Sequence, residues 1–207
     1  AVTELAKHAN VPVINGLTDL LHPCQALTDM FTLQEHWGSF EGKTLAYIGD
    51  GNNTCHSLMH TAAKLGCNIT VCTPEGYEPN LKVMTQSLDA AAKSGAVVQH
   101  VTDPTEAVTG AQAVYTDVWA SMGQEDETEE RNAIFRDYQV DAELMEATDD
   151  ALFMHCLPAH RGQEVTSSVI DGPRSIVFDI AENRLHVQKA ILVLLMCPTP
   201  VLEEVHA

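Results

Sequence analysis

The chain has 207 residues, 45% of them hydrophobic and 19% charged, the proportions of a globular protein able to bury a core. Eleven Lys and Arg stand against 29 Asp and Glu, a net charge of −18 that excludes generic binding to nucleic acid or anionic membrane. The longest apolar run, positions 190–197, is far short of the roughly 18 residues a membrane helix needs, and no signal-peptide pattern opens the sequence.

Strand-like and helix-like segments alternate along the chain. Residues 3–9 read as helix, and 11–15 as a short strand ending at Gly16. Residues 24–37 carry Ala26, Leu27, Met30, Phe31 and Leu33 at helical spacing. Residues 44–48 form an apolar strand stopped by Gly49-Asp50-Gly51. A helix over 54–65 ends at Gly66, a strand follows at 68–72, and a second helix over 81–93 ends at Gly95. Residues 96–101 read as strand. Asp103 then caps a helix with Pro104 at its first position and Glu106 three on from the cap. Residues 111–116 and 151–155 are strands separated by a helix over 141–148; 175–179 is expected as a last strand and 181–196 as a last helix. Strands spaced by helices predict an α/β fold: a doubly wound, mostly parallel, Rossmann-like sheet with helices on both faces.

Such sheets bind ligands beyond the carboxyl ends of their strands. The residues there are Gly49-Asp50-Gly51-Asn52-Asn53, then Asp117-Val118-Trp119, then His155-Cys156-Leu157-Pro158. The first run lacks the third glycine of a dinucleotide fingerprint, since Thr54 holds that place. It reads as a strand-to-helix turn capped by Asn53 or Thr54, or as a pair of amides for a small polar ligand. Asp117 is either a surface residue opening a loop or a rim carboxylate for a substrate ammonium. His155 and Cys156, next to Arg161, suit either nucleophilic catalysis or non-covalent contacts to a polar substrate. His22-Pro23-Cys24-Gln25 precedes a helix, and Glu182-Asn183-Arg184 is expected to open the last one; both are helix-start positions suited to an anion. Residues 124–130 carry five acids and read as a solvated loop bordering the site.

Metal is not expected. His56 and His60 are four apart on a helix but lack the glutamate of a metalloprotease motif, and they read as surface histidines. The six cysteines form no C-x-x-C, so reduced thiols in a cytoplasmic compartment are expected.

Together, His-Pro-Cys-Gln, Gly-Asp-Gly-Asn-Asn, Asp-Val-Trp-Ala-Ser-Met-Gly, His-Cys-Leu-Pro and Ala-Glu-Asn-Arg, in this order, resemble the carbamoyltransferases, most closely those acting on ornithine. The resemblance runs from about Leu5 to the last helix. It implies transfer of a carbamoyl group from carbamoyl phosphate to the δ-amine of L-ornithine, with no cofactor. Asn53, Asp117, Ser121 and Met122 would hold ornithine. Cys156, His155 and Arg184 would be catalytic, with Cys156 the proton acceptor. His22, Gln25, Cys156, Leu157 and Arg184 would contact carbamoyl phosphate. The resemblance also implies a homotrimer. The family's Ser-x-Arg-Thr-Arg-like phosphate grip is absent from this sequence, whose five arginines are 131, 136, 161, 174 and 184.

The expected organisation is therefore a remnant of a carbamoyl-phosphate domain with a connecting helix (1–36), an ornithine-binding domain (37–186), and a helix that would pack back on the first domain (187–207). The chain alone is expected to bind carbamoyl phosphate poorly and to turn over little. Two other readings stand beside this one: a carbamoyltransferase with another amine acceptor such as putrescine, and a non-catalytic amino-acid-binding module.

Overall fold

A computed structural model describes residues 2–120 and 127–197. Five parallel strands form one sheet: β1 (Thr44–Ile48), β2 (Asn68–Cys72), β3 (Val98–Val101), β4 (Ala113–Thr116) and β5 (Leu152–His155). Their spatial order is β3-β2-β1-β4-β5. Leu45 pairs with Ile69 on one side and with Ala113 on the other, and Thr116 pairs with His155. The order reverses between β1 and β4, so the carboxyl ends of β1, β4 and β5 flank the topological switch point where such sheets bind ligands.

The strands are apolar on both faces because helices cover both. Leu45, Tyr47, Ile69, Tyr115 and Met154 face one core, shared with Met30, Leu33, Leu58, Met59 and Ile180. Ala46, Ile48, Val114 and Phe153 face the other, shared with Val108, Met145, Ile170 and Val177. The helices over the first core are α2 (Pro23–Trp37), α3 (Asn53–Leu65), α4 (Leu81–Ser94) and α9 (Val177–Met196). α1 (Val2–His8) buries no side chain. α5 (Pro104–Val108), α7 (Ala142–Glu146) and α8 (Ser167–Ile170) serve the second core, and α6 (Thr128–Ile134) follows the β4 rim.

Three expectations need correction. Residues 11–15 are not a strand: Val11 is 71% exposed, and the segment from Asn15 to Leu20 is pinned by side chains. Cys24 Sγ contacts the Asn15 carbonyl, Asn53 Nδ2 donates to the Thr18 carbonyl, and His56 Nδ1 donates to the Leu20 carbonyl. Residues 175–179 are not a strand either. Only an isolated bridge joins Ser175 to Phe153, and helix begins at Val177, because Val177 and Ile180 reach the core at helical spacing. α9 therefore starts four residues earlier than expected. Glu182, Asn183 and Arg184 lie in its second turn, so no helix-start anion site exists there.

Gly51 allows the rim its shape. A Cβ at this position would lie 2.5 Å from Pro79 N and 2.6 Å from Tyr77 O, and the Gly51 N–H bonds to that same carbonyl. Backbone this close leaves no side-chain atom free to move aside. Gly51→Ala is expected to cost about 2–3 kcal/mol in urea unfolding, against less than about 0.5 for Gly16→Ala, where a Cβ meets nothing within 4 Å. Equal costs would show that the 77–79 loop adjusts freely.

Candidate active site

Asn52 ends the β1 turn and caps α3. Its Oδ1 accepts the N–H groups of Thr54 and Cys55 at 3.0 and 3.1 Å, and its Nδ2 donates to Asp117 Oδ2 at 2.9 Å. The cap is thus Asn52, not Asn53 or Thr54. Asp117, just past β4, is 5% exposed, which removes the surface-loop reading. Its Oδ1 accepts the Val118 N–H at 2.8 Å and the Cys156 thiol at 3.0 Å. Cys156 follows β5. One carboxylate therefore ties together the ends of three strands.

Burial, then the charge of Asp117, pushes the Cys156 thiol well above its ordinary pKa. Cys156 is a neutral donor to Asp117, and the carboxylate is the acceptor of the pair.

The cleft at this rim has a volume of about 970 Å³, and Asp117, Cys156, Leu157, Asn53 and His22 all line it. Asn53 directs its Nδ2 to the Thr18 carbonyl at 2.8 Å. His22 is held by its backbone N–H on Ser57 Oγ, and burial, then the charge of Arg184, lowers its pKa. Arg184 reaches from α9 to Gln25 Oε1 on α2, and its Nε has no partner among the described residues. Gln25 Nε2 in turn donates to the fully buried Asp29 at 2.9 Å. Burial raises the Asp29 pKa to about 7 against the opposing pull of Gln25 and Tyr115.

His155 does not reach the cleft. It is fully buried, its Nδ1 accepts the Leu157 N–H, and its Nε2 faces Glu164. Arg161 points away as well, in an exposed double contact with Asp171. Ser121 and Met122 lie outside the described residues, as do 124–126 of the acidic stretch. Its last described acids, Glu127, Glu129 and Glu130, lead into or lie within α6.

His56 is not a surface histidine. It is buried, donating from Nδ1 to Leu20 and accepting the Asn80 N–H at Nε2. Asp117, His155 and Cys156 do bring one donor atom each within 4.8 Å of one another. Asp117 already accepts from Asn52, Val118 and the Cys156 thiol, and His155 Nδ1 from Leu157.

Two cleft residues escaped the sequence reading. Arg131, from α6, donates to Asp50 Oδ2 at 2.8 Å, to the Trp119 carbonyl at 2.9 Å and to Glu127 at 2.9 Å, and lies 5.1 Å over the Tyr77 ring. Nothing in the sequence pairs Arg131 with Asp50, 81 residues away. Asn52 was legible only as one of two adjacent amides.

Residues 41–195 match the family model for the aspartate/ornithine carbamoyltransferase Asp/Orn binding domain. The chain belongs to this family. Residues 1–35 match the carbamoyl-P binding domain of the same family. Among curated relatives, the ornithine carbamoyltransferase of Symbiobacterium thermophilum is 59% identical over 196 residues, 94% of this chain and 63% of the relative. The anabolic ornithine carbamoyltransferase of Pyrococcus furiosus is 57% identical over 94% of this chain and 62% of its own length. The solved structure of ornithine carbamoyltransferase from Pyrococcus furiosus superposes with a TM-score of 0.91, covering 94% of this chain and 63% of that one. The structure from Gloeobacter violaceus does so at 0.88, with 47% identity and coverage of 94% and 66%. The chain thus spans under two thirds of the length of these relatives.

Two measurements check the electrostatics. Arg131→Met leaves Asp50 buried without its cation and is expected to cost about 3–5 kcal/mol in chemical unfolding, against under about 1 for a solvated pair. The second is stability against pH. Asp29 has a folded pKa of about 7, raised from 3.8, so its contribution is full below 3.8 and is lost as pH rises through 7. His22 and His56 have folded pKa values lowered from 6.5, so their contribution is full above 6.5 and is lost as pH falls below it. Asp29→Asn should flatten the decline between 3.8 and 7 while keeping the acid-side decline. Parallel wild-type and variant curves would contradict the assignment.

Proposed function

We propose that this cleft binds L-ornithine and that the full protein transfers the carbamoyl group of carbamoyl phosphate to its δ-amine, giving L-citrulline and phosphate in arginine biosynthesis. The observation that carries the reading is Asp117, a buried carboxylate at the sheet's switch point, held by Asn52 and facing the Cys156 thiol. Asp50 and Asp29 are also buried carboxylates in this region; burial, and to a smaller extent the charge of Asp117, raises the pKa of both. An acid-rich pocket favours a cationic acceptor and disfavours aspartate. The relatives named as ornithine carbamoyltransferases point the same way.

In this reading Asp117 attracts the substrate's ammonium and Cys156 borders the amine. The amine proton passes to the carboxylate, directly or by exchange through the thiol, whose own proton already points there. The neutral nitrogen then attacks the carbamoyl carbon, the bond to phosphate breaks with its electron pair leaving on oxygen, and the second proton of the attacking nitrogen passes to that leaving phosphate. Arg184 and His22 supply donors on the carbamoyl phosphate side, with Gln25 accepting from Arg184 and orienting it. Ser121 and Met122 complete the ornithine contacts. No covalent carbamoyl-cysteine is needed, since the thiol is held neutral.

The reading extends to a cytoplasmic homotrimer, with residues 1–36 and 187–207 belonging structurally with a carbamoyl-phosphate domain. Without a Ser-x-Arg-Thr-Arg-like segment, this chain alone binds carbamoyl phosphate weakly and turns over little.

The test is calorimetric titration of the chain with L-ornithine, putrescine and L-aspartate. Ornithine should give heat, and Asp117→Ala should weaken it by at least about 100-fold, the value of a buried charged contact. Asn52→Leu should weaken it by about tenfold through loss of the Asp117 orientation. Preference for putrescine would change the acceptor. No heat with any of the three, from a folded chain, would sink the ornithine reading.

A further inference from the structure

We propose that His155 and Glu164 are positioning residues, a buried brace that sets the cleft-side backbone of Leu157, and that His155 acts through Leu157 and never on substrate. The proposal rests on the ornithine reading of the cleft for its functional half.

The argument starts from a backbone oddity. Leu157 has φ +58, in the left-handed region that a leucine side chain disfavours. It also lines the cleft, as do Pro158 and His160. A residue held there needs surroundings that impose the conformation. His155 supplies one tie, because its Nδ1 accepts the Leu157 N–H at 2.8 Å. An Nδ1 that accepts carries no hydrogen, so the ring's hydrogen sits on Nε2.

That Nε2 lies 3.3 Å from Glu164 Oε1, with both side chains fully buried. The pair is out of line for a full hydrogen bond, and Nε2 has no other partner among the described residues. The attraction is therefore a dipole-to-carboxylate contact across a dry interior, which fixes which ring face and which nitrogen meet Leu157. Glu164 Oε1 also accepts the His160 N–H at 2.5 Å, and the Glu164 carbonyl accepts the Val140 N–H at 2.9 Å. The brace thus grips the cleft-lining stretch at both ends, through the N–H of Leu157 and the N–H of His160. Glu164 itself is tied to the neighbouring segment at Val140. No ring atom of His155 is exposed to the cleft, so contact with a ligand would require the β5 end to unwind.

Three measurements on this chain decide the matter. The first needs no variant: a through-hydrogen-bond nitrogen–nitrogen coupling between the Leu157 amide and His155 Nδ1 should be present by NMR, and its absence overturns the brace. The second is amide exchange at Leu157 in two variants. His155→Asn keeps an acceptor for the N–H two residues on, as in an Asx turn, whereas His155→Leu keeps none. Exchange should stay within about threefold of wild type in His155→Asn and rise by about tenfold or more in His155→Leu, with Val114 and Tyr115 unchanged in both. Equal rates in the two variants overturn the proposal.

The third is L-ornithine affinity, which should fall about tenfold in His155→Leu and recover to within about threefold in His155→Asn. Equal losses in both would mean that the imidazole itself touches ligand and would overturn the positioning role. A wild-type chain that binds no ornithine would sink the reading of the cleft and the functional half of the proposal together. The coupling would still decide whether the brace exists.

Discussion

Asp117 has two carboxylate oxygens, and they accept from three parts of the chain: the Asn52 amide beyond β1, the Val118 N–H beside it, and the Cys156 thiol beyond β5. Most of what the rim does follows from keeping that charge buried and satisfied. Asn52 can donate to Asp117 only because its other end caps α3, so the start of a helix and the orientation of a site residue are one constraint. Gly51 lets the 77–79 loop close against the same turn, and Tyr77 in that loop stacks under Arg131, the counter-charge of Asp50. A buried carboxylate without such partners would have to take up a proton or expose itself.

The net charge of −18 acquires a local meaning here. Asp29, Asp50 and Asp117 are all buried near the cleft, and each meets its own neutralising group: the Gln25 amide with Tyr115 and Arg184, the Arg131 guanidinium, and the Asn52, Val118 and Cys156 donors. Asp29, with neutral partners closest, is pushed up to about 7. The ornithine proposal rests on Asp117, whose partners among the described residues are all neutral donors, so that a cationic substrate group suits it and a dicarboxylate does not.

The fold was legible because five apolar segments bounded by glycines, prolines and capping residues alternate with helical periodicity. β1 and β2 carry the expected bounds, 44–48 and 68–72. Residues 11–15 and 175–179 failed because apolar composition does not say which partner a segment meets. The first stays largely exposed, with Cys24 of α2 holding its end at Asn15, and the second turns helical as Val177 and Ile180 find the core. At the site, Asp117 and Cys156 stood out by following strands, and the switch point brings them within hydrogen-bonding distance. His155 shared that position but not that outcome. Side chains alternate across a strand end, so when Cys156 faces the cleft its neighbour faces the interior. Arg131 carries no motif and becomes visible only when the chain folds it onto Asp50.

The central claim is that Cys156 is a neutral thiol donating to the side chain of Asp117. The most direct test is the infrared S–H stretching band of Cys156, identified by its disappearance in Cys156→Ala. The account predicts a band present at neutral pH, displaced to low frequency by its carboxylate acceptor, and moved toward the free-thiol position in Asp117→Leu. A band absent at neutral pH would mean a thiolate and would contradict the account. So would a band indifferent to residue 117.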